Sequence, residues 1–160
     1  MIQSKEKATL GRAERISFPG LFEGKFHARI DTGARKSTLW VSMAKVIDGE
    51  LKVIFFDEGV VGYTGDIVSF KHFERLVVSS SNGQTDNRYT IKTVVLIGNR
   101  KIRATFTLAD RSTQVYPILI GRNVLRGRFI VDVELGKPLV KKEKARIDEL
   151  QKSLINKETI

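Results

Sequence analysis

The stretch HARIDTGARKSTLW, residues 27–40, runs a strand-like segment straight into Asp31-Thr32-Gly33. Its plainest reading is a turn, because an Asx side chain and a glycine both favour tight chain reversal. The other reading is a carboxylate held at the end of a strand, ready to act on a bound group. Three residues cannot separate the two. A second apolar run closed by glycine, ILIGRNVL at residues 118–125, lies far downstream and bears on the choice.

The composition sets the bounds. The chain has 160 residues, 41% of them hydrophobic and 29% charged, so one folded domain with a substantial core is expected. Cysteine is absent, which removes disulfides, thiol nucleophiles and thiolate metal ligands together. The first fifteen residues, MIQSKEKATLGRAER, hold no apolar secretory core, and no segment is apolar enough for a membrane span. A cytoplasmic protein with no membrane partner is expected. The formal charge of +10 favours an anionic partner. From Gly136 onward seven basic and four acidic residues leave +3, so the remaining +7 belongs to the body of the domain.

The pattern is mostly β. ERISF and KFHARI, separated by Pro19-Gly20, read as paired strands. STLWVSMAKV reads equally as short helix or strand. ELKVIFF is a strand, EGVVGYTGD a glycine-rich loop, and IVSFKHFERLVVS a β-branched run ending at SSSNGQ. Asn82-Gly83 is a strong hairpin signal between ERLVVS and RYTIKTVVL, and Gly98-Asn99 marks the next turn. In KIRATFTL, Ile102, Ala104, Phe106 and Leu108 share one face while Arg103, Thr105 and Thr107 take the other. RNVLRG can form a helical turn, and RFIVDVEL should be the last strand. Val140, Ile147, Leu150 and Leu154 then recur at helical intervals. These readings predict seven or so strands and a terminal helix. The expected division is an N-terminal extension (1–12), a β domain (13–135) and a helical tail (136–160).

The combination of ARIDTGARKSTL and PILIGRNVL resembles the retropepsin-like aspartic peptidases. These carry one Asp-Thr/Ser-Gly per chain and a later hydrophobic-hydrophobic-Gly strand that braces the catalytic loop. A bacterial subfamily usually called ATP-dependent zinc proteases, associated with ATP-grasp glutamate ligases, is similar in more pieces. They are LGR near the start, DTGARKSTL, SSNGQ, DRSTQVYPILIGR and LRGRFIVD, together covering roughly residues 10–135. The resemblance implies an all-β acid-protease barrel, with a short helix near 122–126 and a C-terminal helix.

It also implies a mechanism. Two carboxylates held close cannot both ionise cheaply, so they share a proton; one activates water while the other protonates the scissile carbonyl. The chain holds no second Asp-Thr-Gly or Asp-Ser-Gly, so this reading requires a homodimer with Asp31 from each copy at its axis. Thr32 would grip the partner loop, Gly33 would allow close backbone approach, and Ile120, Gly121 and Arg122 would support the site. The hairpin at Ser81, Asn82 and Gly83 would be a flap over the substrate, with EGVVGYTGD as the other candidate.

Arg35 would border the cleft and could hold a carboxylate through two parallel hydrogen bonds, with Arg88 and Arg111 adding to the field. Lys36 reads as a solvated charge. The expected substrate is an acidic peptide or polyglutamylated protein, the product of a glutamate ligase. No metal or other cofactor is implied: His27 and His72 are the only histidines, Trp40 stands where relatives often carry His, and no phosphate-binding glycine loop occurs. The competing classes are a peptide-binding scaffold without catalysis and a nucleic-acid-binding β domain. The second lacks any interleaved basic-aromatic motif, so nucleic acid is not the expected partner.

Overall fold

The computed structural model describes residues 6–79 and 82–158. In chain order the elements are β1 (Ala8–Leu10), β2 (Ala13–Phe18), β3 (Phe22–Ile30), β4 (Ser37–Ile47), β5 (Glu50–Phe55), β6 (Val68–Phe70) and β7 (Glu74–Ser79). Then follow β8 (Thr85–Ile97), β9 (Arg100–Ala109), β10 (Ile118–Ile120), α1 (Arg122–Leu125), β11 (Phe129–Val131) and α2 (Val140–Glu158). Among the described residues strands make up 48% and helices 15%, which places the chain in the expected all-β class.

Six strands close a barrel in the order β10-β3-β2-β8-β9-β4, since β10 pairs with both β3 and β4. Strands β5 and β6 extend the sheet beyond β4, and β7 adds to β8. Strands β1 and β11 form a separate parallel pair. The β8–β9 hairpin turns at Gly98-Asn99, where Ile97 faces Arg100 and Gly98 takes a φ of +57°. The predicted turn is therefore present, with glycine in the left-handed conformation that two-residue hairpins need.

The core lies inside the barrel. Phe18 and Phe106 are fully buried and meet edge to face with ring centres 5.3 Å apart. Phe26 stacks on Phe56 at 4.5 Å, and Phe22 joins that pair to Phe55 and Phe18. Such aromatic contacts add to the burial of apolar area that drives the fold.

The ambiguous segment after Asp31 is strand. Ser37, Leu39 and Val41 are buried and alternate with partly exposed Thr38 and Trp40, a period of two. Eleven strands are present among the described residues against about seven expected. The excess comes from β1, β10, the ambiguous segment that forms β4, and the run IVSFKHFERLVVS, which splits into β6 and β7. Strands β1, β6 and β10 each span three residues, too few to display any period. RFIVDVEL is a strand only as far as Val131, because Asp132 accepts from Leu135 N and Glu134 N and turns the chain. The alternation along β9 also fails at Thr107, which is buried because it faces Thr90 of β8 across the pair.

Helix α2 forms as its spacing predicts, yet none of its side chains is buried. Its attachment is polar and local. Arg12 Nη1 donates to both Glu143 oxygens at 2.9 and 3.1 Å, Tyr116 donates its hydroxyl hydrogen to Glu143, and Leu139 N donates to the Tyr116 oxygen at 2.9 Å. The approach to α2 passes Gly136, whose φ is +107° and whose hypothetical Cβ would sit 2.4 Å from Ala13 O. Only glycine fits that crossing.

The Arg12 hydrogen bond, and after it that of Tyr116, hold the Glu143 carboxyl below the usual glutamate range, while burial opposes them. A lowered carboxyl pKa contributes stability above the unfolded value and loses it as pH falls through the folded value. Acidification below the ordinary glutamate range should therefore release α2 before the barrel unfolds. Hydrogen exchange of the α2 amides should show the loss, and Glu143→Gln should weaken protection at neutral pH while flattening its acid dependence.

Candidate active site

Asp31 leaves the end of β3 and its backbone N–H donates to Ile120 O at 2.9 Å, continuing the parallel pairing of β3 with β10. The chain then loops and returns as β4, which pairs antiparallel with the other edge of β10. The Asp31 loop therefore has β10 threaded between its two arms. Gly121 follows at the point of closest approach: a Cβ there would fall 2.2 Å from Lys36 O and 2.8 Å from Ala34 O. The glycine of ILIG is needed because backbone occupies the space of a side chain.

The loop is held by several bonds. Asp31 Oδ1 accepts from Gly33 N at 2.9 Å and from Ala34 N at 3.1 Å. Arg122 N donates to Ala34 O at 2.7 Å, and Arg122 Nη1 donates to Gly33 O at 2.7 Å and Thr32 O at 3.2 Å. Gly33 sits so close to the carboxylate that a Cβ would lie 3.2 Å from Oδ1. The turn and the presented carboxylate are thus one device. One oxygen of Asp31 caps the turn, and Oδ2 stays turned toward the Arg29 guanidinium, 4.0 Å from Nε.

Two further residues, not singled out from the sequence, complete this frame. Ser37 is fully buried, accepts from Gly121 N at 2.9 Å and donates to Asn123 Oδ1 at 2.6 Å. Asn123 in turn donates to Thr105 O at 2.9 Å. A serine at the start of an apolar strand and an asparagine opening a one-turn helix were the available signals. Neither means much until β10 brings them together.

The candidate substrate residues separate into groups. Arg111 shares a cleft with Asp31 and Thr32 that also includes Arg12, Arg29 and Arg146. Arg35 is exposed and lies in a neighbouring cleft with Glu74, Leu76 and Thr90 from the β7–β8 hairpin, joined to the first at Thr32. Arg88 is on β8 opposite Leu76, with Nε 3.8 Å from Asp86 Oδ2, and lines neither cleft. Asn82 and Gly83 form the exposed connection of that hairpin, Gly83 at a φ of +80°. Ser81 lies outside the described residues. The segment EGVVGYTGD is a loop between β5 and β6, and its Gly59, Val60 and Val61 line a different cleft, with His27 and Trp40.

Charge around Asp31 is unbalanced. Arg12 is matched by Glu143 and Arg146 by Glu149, each at 2.9 Å. Arg29 lies 4.0 Å from Asp31 Oδ2 and also acts on Glu143, while Arg111 makes no ion pair among the described residues. Burial and the neighbouring Arg29 push the Arg111 guanidinium below its ordinary value, and Asp31 offsets only part of this. Arg111 is fixed by donating Nε to Tyr116 O at 2.9 Å. His27, on the strand that leads into Asp31, is lowered chiefly by burial and then by Arg15, Lys142 and Lys137.

Residues 9–144 match the family described as retropepsin-like aspartic endopeptidase RimB. The chain belongs to that family. Curated relatives include proteins named "Probable alpha-L-glutamate ligase". The one from Parasynechococcus marenigrum is 30% identical over 136 residues, covering 80% of this chain and 28% of that protein. The one from Shewanella pealeana is 28% identical over 144 residues, covering 81% and 29%. The chain thus spans under a third of the length of these relatives. A crystal structure of a Legionella pneumophila protein of unknown function superposes with a TM-score of 0.60 at 20% identity, covering 82% of this chain and 97% of that one. That likeness is one of fold.

Two substitutions test the frame. Ser37→Ala leaves the buried Gly121 N–H and Asn123 amide oxygen short of a partner and should cost about 1–3 kcal/mol in urea unfolding. Gly121→Ala should be worse, because backbone oxygens cannot yield as a flexible side chain would. Its expected result is a fall in melting temperature larger than that of Ser37→Ala.

Proposed function

We propose that this chain supplies half of an aspartic endopeptidase active site, completed by Asp31 of a second copy, and that its substrate is a glutamate-rich or polyglutamylated peptide. The observation that carries the catalytic part is the Asp31 loop itself, with one carboxylate oxygen committed to the turn and the other turned to the cleft. Family membership supports the same chemistry.

The reaction follows from two such carboxylates sharing one proton. The ionised one takes a proton from water as the water oxygen attacks the peptide carbonyl carbon. The protonated one gives its proton to the carbonyl oxygen, producing a tetrahedral gem-diol. Collapse transfers a proton to the departing nitrogen, breaks the C–N bond and leaves a carboxylic acid and an amine. The β7–β8 hairpin, whose Glu74, Leu76 and Thr90 line the cleft with Thr32 and Arg35, would cover the substrate lying there, with Asn82 and Gly83 at its turn. Water excluded by such a cover strengthens every charge interaction beneath it.

The acidic substrate is supported by the excess of arginine in the Asp31 cleft, where Arg12, Arg29, Arg111 and Arg146 stand against Asp31 and Glu143. Such a cleft favours a ligand that brings more negative charge, and arginine binds carboxylates with two parallel hydrogen bonds. The names of the relatives support glutamate as the residue concerned, since a ligase that adds glutamates makes the kind of chain this cleft would accept. Arg35 and Arg88 would contact more distant residues of an extended acidic chain.

Asp31→Asn should lower hydrolysis of an oligoglutamate peptide by about 10²–10⁴-fold, the range of a lost general acid–base group, with melting temperature little changed. Loss of nothing in that assay would refute the catalytic role. Arg29→Ala and Arg111→Ala should each raise KM for glutamate peptides by about 10-fold, the worth of one charged hydrogen bond. The same variants should leave a glutamine-substituted peptide almost unaffected. Equal effects on both peptides would remove the case for an acidic substrate.

A further inference from the structure

The exposed large apolar side chains concentrate in the last third of the chain. On α2, Ile147 is 54% exposed, Leu150 47% and Leu154 60%, and these fall at i, i+3 and i+7, one stripe along the helix. Just before the helix, Val133 is 71% exposed. The stripe is not packed into the barrel core, because α2 has no buried residue and is tied down by Glu143. Its direction is fixed by its neighbours. Ile147, Leu150 and Val133 line the same cleft as Asp31 and Thr32. An apolar stripe thus borders the carboxylate itself.

We propose that this face, Val133 together with the Ile147–Leu150–Leu154 stripe of α2, is the surface on which a second copy of the chain docks. The inference rests on the paired-Asp31 reading and identifies what holds the pair together. One copy presents one carboxylate, so the site is incomplete until another copy approaches along the line of Asp31 and Thr32. Any copy close enough to bring its own Asp31 within reach of a shared water must lie over residues lining the same cleft. A contiguous apolar surface of this kind is uncommon on a chain that stays alone, and covering it removes apolar area from water where the carboxylates need a dry surround. A small acidic ligand fills the cleft between the arginines but has no reason to cover Leu154, a full turn beyond Leu150. A second protein surface does.

The experiment combines solution mass with activity. Wild type should run at the mass of two chains, and so should Asp31→Asn. Leu150→Arg and Leu154→Arg place a charge on an exposed position, so circular dichroism should stay that of the folded chain, with melting temperature lowered only by the lost pairing. Both should shift toward one chain, with a dimer dissociation constant raised roughly 30-fold or more, as for a central apolar contact. Their hydrolysis of oligoglutamate should fall in step and recover with rising protein concentration. Wild type at the mass of one chain overturns the proposal, as do substituted chains that stay paired and fully active. If wild type pairs, the stripe variants separate and no peptide is cut by any form, the docking surface stands and the catalytic reading falls.

Discussion

The site depends on a steric constraint, the passage of β10 between the two arms of the Asp31 loop. Strands β3 and β4 never pair with each other; each is hydrogen-bonded to an opposite edge of Ile118–Ile120. Removing β10 from this arrangement would open the barrel and free the loop at once, because closure of the ring and placement of Asp31 use the same three residues. Gly121 is where the constraint is tightest, with carbonyl oxygens of Lys36 and Ala34 where a side chain would be. Ser37, Asn123 and Arg122 then convert a close approach into a fixed geometry by satisfying backbone groups that the crossing would otherwise leave bare.

Rigidity in that frame contrasts with the attachment of α2. The barrel is held by interdigitated aromatic and aliphatic side chains, whereas the helix is held at one end by Arg12, Tyr116 and Glu143. A helix of 19 residues with no buried side chain gains little from its contact with the barrel. Its persistence must come from that polar anchor or from something that covers its apolar stripe. The polar anchor and the Asp31 carboxylate lie in one cleft, so the state of the helix and the electrostatics around Asp31 are coupled through Arg12 and Arg29.

How far the sequence discloses this differs by element. Long alternating strands such as β9 and hairpins such as Gly98-Asn99 are legible because period and turn chemistry are local. The importance of Asp31 was legible only through a distant partner, ILIG, whose glycine acquires a reason once backbone oxygens are found around it. Ser37 escaped because a single buried serine has no sequence signature; its role exists only where β4 meets β10. Arg29 escaped for a related reason. Reading outward from the motif points to Arg35, two residues past Gly33, but the strand direction of β3 puts residues 29 and 31 on the same face, so the nearer guanidinium precedes the aspartate. Arg111, expected as a contributor to the field, shares the cleft with Asp31 because it follows β9 and is held by Tyr116 O, just ahead of β10.

The positive charge of the domain has two opposed consequences on the proposed reading. Two copies, each at +10, repel as they approach, and the arginines flanking both Asp31 loops would be brought nearest to one another. Two Asp31 carboxylates sharing a proton carry one negative charge among four guanidiniums from Arg29 and Arg111. An apolar seal is the part of such an interface that salt does not weaken, while the repulsion across it is screened within a Debye length of about 8 Å at physiological ionic strength. An acidic chain lying in the cleft removes the repulsion directly by adding carboxylates where cations are in excess. Substrate selection and assembly would then be one electrostatic problem. On that reading the empty pair would be strained by its own charge, and the ligand that relieves the strain would be the one the cleft cuts.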